Sequence, residues 1–469
     1  MPSRNSIVKR LVAAANRLLG YQAVVSTPRR SQTFLKPTLK SEDRVLPHHE
    51  RSKLIALTRD LVRNFSVVAW AVRQHCTYVS SFTPAIRGVP QALKQDIARR
   101  LQQWQQPYNF DITRRRSLSE ILFQAEWCRV VDGDVFLISL DGKSVFLVEG
   151  DRVTNFKEVE DQYSKQLESG QLNYVEGVLI DTLGAPVAYS IGRRAASREG
   201  LEFNLIASAV NTYHLAYWSR HDQIRGISPL ASAAAVFQDL YETLDYEVTK
   251  HKIAQLFGIK IIHENTPLFA AADDTQEEDY PIDFGRGPYV VDLRPGDDIQ
   301  VIESNHPAAT STDFYKHLIT LALKALDLPY SFYDESATNY SSSRLAWLQY
   351  LATVKQKQQS LLSFLHWLTN KWLRSSIENG ELPEEAYLAS IEWVPVGQPW
   401  IDPLKEVQAD VLALQNGLIS RQEIARRHGK DYATILEEMI EDPLATMTIA
   451  EQAGIDIHAF GKAQADGDE

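Results

Sequence analysis

Cysteine is almost missing from this 469-residue chain, which has only Cys76 and Cys128. Two thiols without C-x-x-C spacing exclude a disulfide framework and a cysteine-based zinc site. Both are expected to be free, buried thiols of a protein assembled inside a cell. Long apolar runs are missing too. The longest, residues 65–72, is far too short to cross a bilayer, so no membrane partner is expected. Arg4, Lys9 and Arg10 precede an apolar patch, but no small-residue cleavage site follows, which reads as a basic arm and not a signal peptide. No G-x-x-x-x-G-K-[ST], G-x-G-x-x-G or G-x-S-x-G occurs, so neither a nucleotide cradle nor a serine elbow is written here. No cofactor is expected.

What is present is ordinary for a folded chain: 44% hydrophobic, 10% aromatic and 23% charged residues, enough apolar surface to offset chain entropy. The net charge of -11 conceals an asymmetry. Residues 1–130 carry +14, with 22 Lys and Arg against 8 Asp and Glu, and the remainder carries -25. A basic first quarter can face nucleic acid or an acidic neighbour, or simply be a solvated helix surface. An acidic body cannot grip phosphate generally, and it suits a surface past which DNA slides.

Periodicity predicts an α+β, mainly helical chain. After an N-terminal arm (residues 1–50, with a short helix near 7–19), one long helix is expected over 51–82, with Leu54, Leu57, Leu61, Val68 and Val72 near helical spacing. Further helices are expected over 91–104 and 117–128. V-F-L-I-S-L and V-F-L-V-E read as a hairpin turning at Asp141-Gly142, and 178–181 with 186–191 as a second around Leu183-Gly184. A short strand is expected at 215–218. A long helix is expected after Ser228-Pro229, with Phe237, Leu240, Leu244 and Val248 on one stripe. Residues 259–262 look strand-like. Residues 264–304 form an acidic, turn-rich insert with eleven Asp and Glu against two Arg. Helices over 311–326 and 341–378 follow, the second roughly 55 Å long if unbroken. Asp402-Pro403 and the Ser420 to Glu423 capping box signal two more, the latter ending at Gly429.

The search for reaction chemistry returns little. His48-His49-Glu50 lacks metal-protease spacing. Asp132, Asp134 and Asp141 admit a carboxylate metal site, although turn residues flanking strands are the plainer reading. His214, His221 and Asp222 have no nucleophile at a strained turn to serve.

Several patterns occur in one order along residues 55–440: L-T-R-D-L-V-R-N, D-G-D-V-F-L, V-E-G-D-R-V, G-A-P-V-A-Y-S-I, Q-I-R-G-I-S-P-L, L-D-L-P-Y-S-F-Y, N-Y-S-S-S-R and W-V-P-V-G-Q-P-W-I-D-P-L-K-E. Together they resemble the lambda-like family of tailed-bacteriophage portal proteins, with Phe65 a departure where a polar residue is expected. The resemblance implies an elongated subunit with wing, stem, clip and crown parts, assembled as a dodecameric ring around a channel at one capsid vertex. It implies as partners double-stranded DNA, the terminase large subunit, the major capsid or scaffolding protein, and head-completion or adaptor proteins. The place implied is the virion, with assembly in the host cytoplasm.

By element order, residues 51–225 with the helix after Ser341 form the wing (341–399 being that helix and a following strand). The helices 226–256 and 306–328 form the stem, 257–305 the clip, 400–440 the crown, and 441–469 an acidic tail. Residues 329–340 become a tunnel loop, with Thr338, Asn339, Tyr340, Ser341 and Arg344 as channel candidates and Lys250, Lys252 and Lys324 as basic rings of the stem. Ser341 is equally a helix cap, and Arg344 either binds phosphate or pairs with a neighbouring subunit's carboxylate. The rival readings are a non-viral helical scaffold and a metal-dependent nuclease using Asp132, Asp134 and Asp141.

Overall fold

In the computed structural model, the described residues are 40–195, 200–255, 259–263, 297–301, 309–334, 336, 340–397 and 403–453. They divide into two compact units: one runs to Ala235 and resumes at Thr320, and the other is Val236–Ile319.

The first unit opens with helices α1 (His48–Asn64) and α2 (Ser66–Val79), where the sequence predicts one. The break is a single residue, Phe65, extended at φ -118° and ψ 109° and buried. The residue that departs from the family pattern thus bends the chain and puts its ring into the core. Strand β1 (Phe82–Arg87) and helix α3 (Gln91–Trp104) follow. Helix α4 (Leu118–Asp132) begins at a capping box, in which the Ser117 side chain accepts from the Glu120 amide and Glu120 accepts from the Ser117 amide. It ends at Gly133, whose φ of 99° suits a residue without Cβ.

Two antiparallel sheets come next. Strands β2 (Asp134–Ile138), β3 (Phe146–Glu149) and β8 (Thr212–Ala216) form one, in the order β3-β2-β8. Strands β4 (Leu172–Val175), β5 (Val178–Asp181), β6 (Pro186–Arg194) and β7 (Leu201–Ser208) form the other, as a meander. Both expected hairpins are present. Asp141 turns the first by accepting from the Lys143 and Ser144 amides, and Asp181 turns the second by accepting from those of Leu183 and Ala185. The expected strand at 215–218 lies earlier, at Thr212–Ala216. Phe136, Ile138, Val148, Val178, Tyr189 and Ile191 unite the two sheets in one core, each full burial contributing about 1.5–3 kcal/mol.

The second unit holds most of α5 (Ala234–Gln255), the antiparallel pair β9 (Ile259–His263) and β10 (Asp297–Val301), and α6 (Ala309–Leu323). The helix expected from Pro229 starts later, because Pro229–Ser232 forms a 3-10 turn first. On the expected stripe, Phe237 and Leu240 are buried while Val248 is 49% exposed.

Back in the first unit, α7 (Tyr340–Glu378) is unbroken over 39 residues, about 58 Å. Tyr350, Val354, Leu361, Phe364, Leu365, Leu368 and Trp372 form its buried stripe. Strand β11 (Ser390–Pro395) then pairs with β1, Phe82 opposite Pro395. Helices α8 (Pro403–Gln415), α9 (Arg421–Arg427) and α10 (Tyr432–Ala453) end the described chain. The third runs thirteen residues into the expected acidic tail, with Pro443 within it. The Asp402 cap, the short helix near 7–19 and most of the acidic insert lie outside the described residues.

Candidate functional site

The quoted motifs converge on buried junctions of the first unit. Arg225, of Q-I-R-G-I-S-P-L, is fully buried and uses its whole guanidinium. It donates to both oxygens of Asp134 at 2.7 and 3.0 Å and to the carbonyls of Val153, Glu176 and Gly150 at 2.8, 2.6 and 2.6 Å. The Gly226 amide and the His214 ring complete the shell of Asp134. Burial alone would raise the Asp134 carboxyl, but the charge of Arg225 and the bond to His214 hold it well below the carboxylate range. Beside it two glycines cross. A Cβ on Gly226 would lie 2.2 Å from the Gly133 carbonyl oxygen, and one on Gly133 would lie 2.7 Å from the Ser228 amide nitrogen. Ser228 donates to the Val130 carbonyl and accepts from the Leu230 amide. Gln223 bonds the backbone of Ser219 and Arg225.

Arg59, of L-T-R-D-L-V-R-N, makes the second junction, gripping both oxygens of Asp132 and reaching Glu149 and Asp151. The three carboxylates of the nuclease reading go to separate partners. Asp132 and Asp134 each serve a different arginine and Asp141 serves a turn, and among the described residues no group of three His, Cys, Asp or Glu is placed to hold a metal ion. His214 belongs to Asp134 and to a stack on Phe136, with ring centroids 4.2 Å apart, while Asp222 faces Arg220 and His48 faces Glu176. No triad assembles among them.

Sequence reasoning missed a third junction. His75, Glu126 and Arg129 are buried together, with His75 Nε2 2.8 Å and Arg129 2.7 Å from the Glu126 carboxylate. The Tyr217 hydroxyl donates to the same carboxylate at 3.1 Å, and Arg129 lies over the Tyr217 ring. Burial opposes the Glu126 charge, yet Arg129 and His75 bring its pKa down to about 2, while burial lowers that of His75. Glu126 and Arg129 stand three apart within the apolar run of α4 and His75 within that of α2, so only their polarity on a core face signals the cluster.

The expected tunnel loop springs from a clamped root. Asp327 sits in the left-handed region at φ 61°, paired to Lys357 at 2.8 Å. Pro329 then leads a 3-10 turn at Tyr330–Phe332. The Phe332 ring meets those of Tyr78, Trp347 and Tyr350 at 5.9, 5.3 and 5.2 Å, and Tyr333 meets Trp70 at 5.8 Å. Asp334 accepts from the Ser336 amide and hydroxyl, starting the outward turn. Thr338 and Asn339 lie outside the described residues, and Tyr340 is described only as backbone opening α7. Ser341 is exposed in the first turn of that helix. Arg344 pairs with Glu406 of its own chain at 2.9 Å, which supplies the expected carboxylate from within the subunit. Lys250 and Lys252 are placed on α5 by backbone alone, and Lys324 is exposed on a 3-10 turn beyond α6.

The family model described as phage portal protein, lambda family, matches residues 27–358. The chain belongs to that family. All three junctions and the loop root fall within the matched span. The W-V-P-V-G-Q-P-W-I-D-P-L-K-E stretch lies beyond it. A probable portal protein of Halomonas phage phiHAP-1 is 28% identical over 162 residues, 33% of this chain and 30% of the relative. A chain from the virion of a native gene transfer agent particle is 14% identical, covering 91% of this chain and 99% of its own, with a TM-score of 0.45. A chain from the neck of the native particle, computed with C12 symmetry, has a TM-score of 0.46 at the same identity, covering 89% and 97%. Among the described residues no helix is long and apolar enough to cross a membrane.

Proposed function

We propose that this chain is the portal subunit of a tailed phage, forming a ring homo-oligomer, a dodecamer, around a channel at one vertex of the virion. Double-stranded DNA enters through it, driven by the terminase large subunit, and later leaves by the same route. The major capsid or scaffolding protein surrounds the ring, and head-completion or adaptor proteins dock on it, after assembly in the host cytoplasm. The observation that carries this reading is the lambda-family match over residues 27–358. The chemistry agrees: the motif carboxylates are consumed by arginines and a turn, so the part assigned to this chain is conduit and not catalyst, and the motor's ATP chemistry belongs to the terminase.

On this reading the wing is residues 51–225 with α7, the stem is α5 and α6, the clip lies between them, and the crown is α8 and α9. Residues 329–340 form the tunnel loop. Support for that assignment is its construction, an aromatic root carrying Thr338, Asn339, Tyr340 and Ser341, neutral groups that touch phosphates without holding them. Stem lysines such as Lys250 and Lys252 add cations to an otherwise acidic body, where weak, salt-screened attraction lets DNA pass.

Negative-stain microscopy of the purified protein tests the ring. Particles with a central channel and about twelve-fold symmetry are expected, and a uniform population of small globular particles would overturn the proposal. Deleting residues 336–339 should leave rings intact while impairing packaging or retention of DNA. Loss of rings instead would make the loop a structural element.

A further inference from the structure

The last helices carry two apolar faces that are exposed among the described residues. On α8, Leu404, Val407, Val411 and Leu414 recur at 3, 4 and 3 residues, the spacing of a helix seam, with Leu418 in the turn just beyond its end. Leu404, Val407, Val411 and Leu418 are 70%, 41%, 44% and 81% exposed. A different face of α8, bearing Glu406, Ala409 and Asp410, lines a groove of about 1230 Å³ beside α7, β11 and α9. There Glu406 meets Arg344, and Asp410 meets His428 and Arg427. Asp410 stands three residues after Val407 and four before Leu414, so the seam borders the side that α9 fastens. On α10, Leu436, Met439, Ile440 and Met447 share one face and are 42% to 64% exposed. Lys94 to Glu437 and Arg87 to Asp431 fasten this helix to α3 and β1, so its apolar face is not the one that anchors it.

Charge says what covers each. From Tyr432 to Ala453 the chain carries five Asp and Glu and no Lys or Arg. Helix α9 carries three Arg against one Glu, with Lys430 just beyond. Two α10 faces brought together would stack like charge on like charge. An α10 laid against α8 and α9 joins apolar to apolar and acid to base. Because the two faces differ, one copy offers each in turn to its neighbours, a head-to-tail contact that closes into a ring.

We propose that the α8–α9 face of each subunit receives α10 of the adjacent copy, Val411 opposing the Met439 and Ile440 level. This deepens the ring reading and rests on it. The seams are short, roughly 15 Å on α8 and 17 Å on α10, so they supply one part of a subunit interface, a standard one burying about 800 Å² per partner.

Cysteine crosslinking of the full chain tests it cleanly, because Cys76 and Cys128 are buried. The double variant Val411→Cys, Met439→Cys should give, on mild oxidation, a non-reducing gel ladder extending from dimer upward. A mixture of the two single variants should stop at dimer. If Val411→Cys alone crosslinks as strongly as the mixture, α8 meets its own copy and the proposal fails. Rings visible by microscopy without any ladder overturn this interface and leave the ring reading standing, whereas the loss of rings from the unmodified protein overturns both.

Discussion

Arg225 and Asp134 show how a recognisable motif can be a fastening. A buried bidentate pair whose partners are all satisfied is costly to break from one side, since the survivor is left charged and dry. Asp134→Asn is therefore expected to cost about 3–5 kcal/mol, read as a shift in urea midpoint with unchanged slope. Gly226→Ala adds a methyl where the Gly133 carbonyl already stands, at 2.2 Å. It should destabilise by about 1–3 kcal/mol, checked by thermal unfolding. Glu126 makes the pH dependence specific. Its folded pKa of about 2 lies below the usual 4.5, so its contribution is fully present above about pH 4.5 and is lost as pH falls toward 2. Wild-type stability should fall across that window by about 3 kcal/mol from this group, and the Glu126→Gln variant, less stable at neutral pH, should lose correspondingly less there.

Among the elements, the root of the proposed tunnel loop invites the sharpest test. Phe332 is half-buried among three rings, and Phe332→Ala should cost roughly 2–3 kcal/mol, below the range for a fully buried ring. Hydrogen exchange should quicken at residues 328–334 while β2 and β8 stay protected; unchanged exchange at the root would mean that the rings do not clamp it. How much of this was legible beforehand follows from where each signal resides. Helix α3 was readable to its ends and α7 to within a residue, because their stripes are long and periodic. The Ser420 cap was readable from hydroxyl and carboxylate spacing. The break at Phe65 was not, since an apolar residue inside an apolar stripe gives no local warning that tertiary packing will extend it. Strands β4 and β7 were missed because their exposed meander lacks clean alternation. Of the site, the pairings of Arg225 and Arg59 depend on residues 91 and 73 positions away, a distance that no pattern within a window can reach.

For the whole molecule, charge sets the terms of contact. The first 39 residues contain seven Lys and Arg and no Asp or Glu, against an acidic remainder. Removing them should weaken duplex binding and flatten its dependence on salt, measured by gel shift across a salt series; unaltered binding would assign the arm to a protein neighbour. The pairing of β1 with β11 has a different consequence, one of timing. Phe82 cannot find Pro395 until over three hundred further residues have left the ribosome, and closing so large a loop is slow. The strand that fixes the C-terminal helices to the body is therefore among the last to form. A truncated or still-growing chain lacks the edge on which α8, α9 and α10 are mounted, so only a finished polypeptide can present those helices to another copy.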